Sequence, residues 1–73
     1  MNIFPNPLTS SIIIKINESG AILKIYSISE QLLNEEKLKK GENTVNTQEL
    51  SKGIYLLEVI SGGKSNHYKV IKE

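Results

Sequence analysis

Apolar and polar side chains alternate with a period of two along most of this chain, the repeat of a strand with one buried face. From Ser10 to Asn17, Ile12, Ile14 and Ile16 share one face, while Ile13, Lys15 and Asn17 share the other. From Ala21 to Ile28, Leu23 and Ile25 point one way and Ile22, Lys24 and Tyr26 the other. The longest alternation runs from Gly53 to Ile60, with Tyr55, Leu57 and Val59 opposed to Ile54, Leu56, Glu58 and Ile60. Ser65 to Lys72 repeats the pattern, with Asn66, Tyr68 and Val70 on one side and His67, Lys69 and Ile71 on the other.

Three segments are less regular. Asn2 to Pro7 carries two prolines, which exclude helix and central strand and leave a short edge strand with a stiff bend at Asn6. Gln31 to Leu38 reads as a strand with Leu33, and Leu32 beside it, turned inward. Its residues also fit an amphipathic helix with a Glu36–Lys40 pair, but a short helix isolated between strands would be marginal. Asn43 to Asn46 is a short strand carrying Val45; Thr47 to Ser51 is expected to be a capped helical turn anchored by Leu50 and stopped at Gly53.

Turn residues fall between these segments: Asn17-Glu18-Ser19-Gly20, Ser29-Glu30, Lys39 to Asn43, and Ser61-Gly62-Gly63-Lys64. About seven short strands with frequent turns predict one all-β domain over residues 1–73, an immunoglobulin-like antiparallel β-sandwich. Eleven isoleucines against a single alanine support strands, because β-branched side chains suit a pleated surface and lose rotamer freedom in a helix.

Composition narrows the chemistry. Nine lysines balance eight glutamates for a net charge of +1, which is no footprint for nucleic acid. Cysteine, aspartate and arginine are absent and there is one histidine, so neither a thiolate metal site nor a nucleophile–base–orienter set can be assembled. No enzyme, cofactor or metal is expected, and His67 reads as a solvated surface residue. No apolar run reaches the 18 residues of a membrane span. Ile13, Ile22, Ile54, Leu56 and Ile60 fall on the outward faces, many apolar groups for the outside of a small domain, and suggest a surface that packs on a cargo, on an export machine or on itself.

An ordered set of motifs points to a family. Phe4-Pro5-Asn6-Pro7, Leu23-Lys24-Ile25-Tyr26-Ser27, Gly41-Glu42-Asn43-Thr44-Val45-Asn46, Leu50-Ser51-Lys52-Gly53-Ile54-Tyr55 and the closing Tyr68-Lys69-Val70-Ile71-Lys72-Glu73 follow one another along the whole chain. Together they resemble the type A C-terminal sorting domain of the type IX secretion system of Bacteroidota. Two positions depart from that pattern: Ser27 stands for an aspartate and Glu30 for a glycine, so this turn is expected to be looser or longer than usual. The resemblance implies a non-catalytic signal at the end of a larger secreted protein. A cargo fused upstream would cross the periplasm, and the outer-membrane translocon would read the domain. A sortase-like peptidase would then remove it, leaving the cargo at the cell surface or released.

Each candidate residue has a bland reading beside the functional one. Phe4, Pro5, Asn6 and Pro7 form a docking signature or a rigid lead-in to the sandwich. Gly53 and Tyr55 belong to a recognition patch or, more simply, supply a backbone shape and a core aromatic with its hydroxyl at the rim. Lys64, Tyr68, Lys69, Val70, Ile71 and Lys72 form a surface read by the translocon, for instance by strand addition, or an edge guarded by lysines against aggregation. Outside the resemblance, the same composition suits a carbohydrate-binding or adhesive module, or a spacer β-sandwich, of a secreted enzyme. The scarcity of aromatics (Phe4, Tyr26, Tyr55, Tyr68) counts against sugar stacking.

Overall fold

The computed structural model describes residues 10–73 fully and residues 2–4 by their backbone. Seven antiparallel strands follow in order: β1 (Asn2–Phe4), β2 (Ser11–Ile16), β3 (Ala21–Ser27), β4 (Leu32–Leu38), β5 (Gly41–Asn46), β6 (Gly53–Ser61) and β7 (Lys64–Lys72). They form a three-stranded sheet, β1-β2-β5, and a four-stranded sheet, β4-β3-β6-β7. This is an immunoglobulin-like sandwich. The chain changes sheets after β2, β4 and β5, so only two of its connections, β3–β4 and β6–β7, are hairpins within the four-stranded sheet.

Alternation delivers the core as the sequence requires. Ile12, Ile14, Ile16 and Val45 from the first sheet meet Ala21, Leu23, Ile25, Leu38, Tyr55, Leu57, Val59 and Val70 from the second, all buried. Leu50 and Tyr68 pack against them at the margin. Large aliphatic side chains buried to this degree contribute roughly 1.5–3 kcal/mol each relative to exposure, which is how a domain of this size stands without a disulfide.

Three expectations for residues 31–53 are corrected. The strand expected over Gln31 to Leu38 forms over Leu32–Leu38, but its faces are inverted. Ile25 pairs with Asn34 and Tyr26 with Leu32, so Leu33 is an extra residue in β4. This bulge resets the alternation: Leu32 and Leu33 are exposed, while Leu38 is buried and Asn34 and Glu36 are half-buried. Second, residues 47–50 form a turn and not a capped helical turn, closed by the Leu50 amide donating to the Thr47 carbonyl at 3.1 Å. Third, Gly53 therefore stops no helix; it is the first residue of β6, paired with Lys72.

The Ser27–Gln31 turn is tight despite its two departures. The Glu30 amide donates to the Ser27 carbonyl and the Ser27 amide to the Gln31 carbonyl, both at 2.9 Å. Ser27 Oγ takes the acceptor role of an aspartate, receiving the Gln31 amide at 3.2 Å. Glu30 adopts φ +67°, the left-handed region where glycine is the ordinary occupant.

Buried polar groups tie the loops. Asn43 receives the Lys39 amide on Oδ1 at 2.9 Å, and its Nδ2 donates to the carbonyls of Lys39 at 2.8 Å, Ile14 at 3.3 Å and Gly41 at 3.3 Å. The side chain thus closes the β4–β5 connection and bonds it to β2. At the opposite end the Tyr55 hydroxyl donates to the Ser51 carbonyl at 2.6 Å, the tyrosine-corner arrangement of immunoglobulin-like domains.

Candidate recognition surface

The β6–β7 hairpin is fixed at its tip by Gly62 and Gly63, with φ of +58° and +77°. Two successive positive φ values in a two-residue loop define a type I′ turn, whose twist matches that of the strands it joins. The hairpin then holds nine paired positions, from Ser61↔Lys64 down to Gly53↔Lys72. β7 is the outermost strand of its sheet.

Strand parity, and distance from the hairpin tip, divide the six tail candidates. Lys64, Lys69 and Ile71 are exposed, and Tyr68 is half-buried at the core margin. Val70 is buried in the core, 2 % exposed. Lys72 is also buried: its stem lies along the interior edge and its Nζ donates to the Thr47 carbonyl at 2.7 Å. The Thr47 amide in turn donates to the Ser10 carbonyl at 2.9 Å, so β7, the β5–β6 loop and the residue preceding β2 meet at one point. In the folded domain Val70 and Lys72 hold the strand in place and Lys69 and Ile71 face outward; Lys64 shares the inward parity and is exposed because it sits at the hairpin tip, beside Ser61.

The signature residues are placed unevenly. Phe4 lies in β1 opposite Ile13, whereas Pro5, Asn6 and Pro7 lie outside the described residues. Gly53 and Tyr55 open β6, with Tyr55 serving as the corner described above. The sequence reading missed Asn43 and Thr47 as ties; Asn43 shares the parity of buried Val45, which was the available signal.

On the outer face of the four-stranded sheet, Tyr26, Glu58 and His67 are linked. The Tyr26 hydroxyl donates to Glu58 Oε1 at 3.0 Å, and His67 Nε2 lies 3.3 Å from Glu58 Oε2. The hydrogen bond from Tyr26 holds the Glu58 carboxyl below its ordinary range; partial burial opposes this, and His67, Ser65 and Lys24 add to the lowering. Partial desolvation, then the hydrogen bond and charge of Glu58, push the Tyr26 hydroxyl up. His67 itself is well exposed, as the sequence suggested. Tyr26 is the only aromatic on this face among the described residues, since Tyr55 and Tyr68 turn inward.

Among the described residues no group of three His, Cys, Asp or Glu side chains is placed to hold a metal ion, and no helix is long and apolar enough to cross a membrane. A cleft of about 210 Å³ beside the hairpin, lined by Glu18, Ser61, Lys64 and Asn66 among others, is smaller than the ~300 Å³ at which small-molecule sites begin.

A three-plus-four sandwich with a tyrosine corner is a small immunoglobulin-like β-sandwich module. The family of secretion system C-terminal sorting domains matches residues 2–73, and the chain belongs to it: it is a type IX secretion sorting domain. Domains of this family are sorting signals, recognised by the type IX system, that direct export to the cell surface or the extracellular space. No curated protein matches the chain.

Proposed function

We propose that this domain carries an upstream fused cargo from the periplasm through the type IX outer-membrane translocon, and that the exposed side chains of β7 are the part that is read. Lys64, Lys69 and Ile71 supply the contact; Val70 and Lys72 keep the strand seated so that it can be presented. A sortase-like peptidase then removes the domain, and the cargo is attached at the surface or released. The observation that carries this reading is the family match over nearly the whole chain, joined to an edge strand that exposes Lys64, Lys69 and Ile71 while Val70 and Lys72 seat it on the core. The domain acts here by binding and by no chemistry of its own.

The test is a fusion of the domain behind a periplasmic reporter in a host with the type IX machinery. The wild-type fusion should reach the surface or the medium; retention in the periplasm refutes the export role. The combined substitution Lys64→Glu, Lys69→Glu and Ile71→Ser changes exposed positions only, so circular dichroism should show an intact fold while the reporter stays in the periplasm. Export of that variant at the wild-type level refutes the reading of β7. Deleting Tyr68 to Glu73 also abolishes export on this view, but it removes Val70 from the core and so cannot separate recognition from folding.

A further inference from the structure

The outer face of the four-stranded sheet is arranged in rows. Cross-strand register places Glu35, Lys24, Glu58 and His67 side by side across β4, β3, β6 and β7. On one side of this row runs Lys37, Ile22, Ile60 and Ser65, and on the other Leu32, Tyr26, Leu56 and Lys69. Ile54 and Ile71 pair beyond the last of these. Each flanking row is apolar at its centre. Leu32, Ile54 and Ile71 stand 47 %, 39 % and 47 % exposed. The three-stranded sheet packs on the opposite face, through the core.

The charged row has a property that selects an occupant. Its signs alternate, negative, positive, negative and then imidazole, over an even number of strands. Reversed about its midpoint, such a row lays every group over its opposite. A second copy turned by a two-fold axis running along the strands applies that reversal. Lys24 then faces the second copy's Glu58, and Glu35 faces its His67. The same operation lays Ile22 over Ile60 and Tyr26 over Leu56, so apolar rows also meet apolar rows. A two-fold axis running across the strands through the charged row would instead stack Lys24 on Lys24 and Glu58 on Glu58, which like-charge repulsion rejects. Aligned face-to-face sheets keep their strands within about 30° of each other, so the pairs near the axis stay opposed despite twist.

We propose that this face binds a second copy of the domain through that two-fold arrangement, with the Lys24–Glu58 pairs fixing the register. Lys69 and Ile71 belong to this face, so pairing and translocon contact are alternative uses of it; the pairing itself is read without the export machinery. With strands ~4.8 Å apart and alternate residues ~6.8 Å apart, the patch covers about 500 Å² per copy. That lies at the small end of specific interfaces, so the association is weak and is favoured by the high local concentration of a crowded compartment or a multivalent surface.

Sedimentation equilibrium of the 73-residue chain from about 10 μM to about 1 mM, the range over which a weak contact fills, tests it. The average mass should rise from 8.2 kDa toward twice that value. Lys24→Glu and Glu58→Lys, each alone, oppose like charges across the axis and should weaken self-association at least tenfold. In an equimolar mixture of the two variants, the heterodimer again sets each of these charges on one chain against its opposite on the other, so association should recover. A mass of 8.2 kDa throughout overturns the proposal and leaves the face to a different protein. A dimer indifferent to both inversions, or a mixture no tighter than its components, also overturns it. If circular dichroism shows that either inversion unfolds the chain, Ile54→Ser with Ile71→Ser decides, because both positions are exposed: tenfold weaker association supports the proposal, and unchanged association overturns it.

Discussion

Replacing Glu30 by glycine should stabilise this domain. Glu30 is exposed and holds φ at +67°, the one non-glycine residue at positive φ among the described residues. An L-residue in the left-handed region costs roughly 1–2 kcal/mol, because its Cβ crowds the following carbonyl. Glycine removes that cost but adds freedom to the unfolded chain, which takes back about 0.5–1 kcal/mol. The net gain spans about 0–1.5 kcal/mol and centres near ~0.75 kcal/mol, or roughly 3–6 °C in Tm for a domain of this size. The Glu30 amide bond to the Ser27 carbonyl is a backbone bond and survives the change. Urea unfolding followed by far-UV circular dichroism measures it, with an unchanged m-value expected. Glu30→Ala is the necessary control: it removes the carboxylate but keeps a Cβ, so it should leave stability nearly where it was. If alanine stabilises as much as glycine, the charge and not the backbone was at fault. If glycine leaves stability unchanged or lowers it, the strain argument is wrong.

The buried and surface hydrogen bonds give two more tests. Asn43→Ala should cost about 2 kcal/mol, because it strips partners from several backbone groups at the β4–β5 connection, the buried Ile14 carbonyl among them, and chemical denaturation should show it; a loss under about 0.5 kcal/mol would mean water replaces the amide freely. Glu58 has a folded-state pKa below its ordinary value, so its contribution is complete above the ordinary carboxylate range and is lost as pH falls through the lowered value. Tyr26→Phe removes the largest cause of that lowering, and a carbon-detected NMR titration should find the Glu58 carboxyl returning toward the ordinary range, with the share of the acid loss of stability that Glu58 supplies becoming smaller.

Periodicity alone was enough to read β2, β3, β6 and β7, because each keeps strict alternation over at least six residues and buries one face. The Gly62-Gly63 hairpin was equally legible, since its turn type demands those residues. β4 was legible as a strand but not in its facing. A bulge inserts one residue and reverses parity, and the pair Leu32-Leu33 offered a tempting but wrong interior. Leu50 and its neighbours mimic a helix start because a single turn uses the same residue types, and one Thr47–Leu50 bond leaves nothing to propagate. Lys72 shares the parity of Val70, so alternation placed it inside; its charge argued for the surface. The Thr47 carbonyl that receives its amine belongs to a distant loop, beyond the reach of any local pattern. The recognition surface was half readable for the same reason: parity separates Lys69 and Ile71 from Val70 and Lys72, but parity says nothing of what sits across the sandwich.

The Lys72–Thr47 contact also has a mechanical meaning. β7 runs antiparallel to β6, and its last paired residue, Lys72, sits beside Gly53, where β6 begins. Traction applied at that end, away from the sheet, does not shear nine pairs together; it opens them in succession like a zip fastener, starting at the residue held by the ammonium clasp. Unfastening by small sequential steps needs far less force than breaking a loaded sheet at once. A pulling device that engages this end meets the clasp first, then the buried Val70, and beyond it only half-buried and exposed side chains.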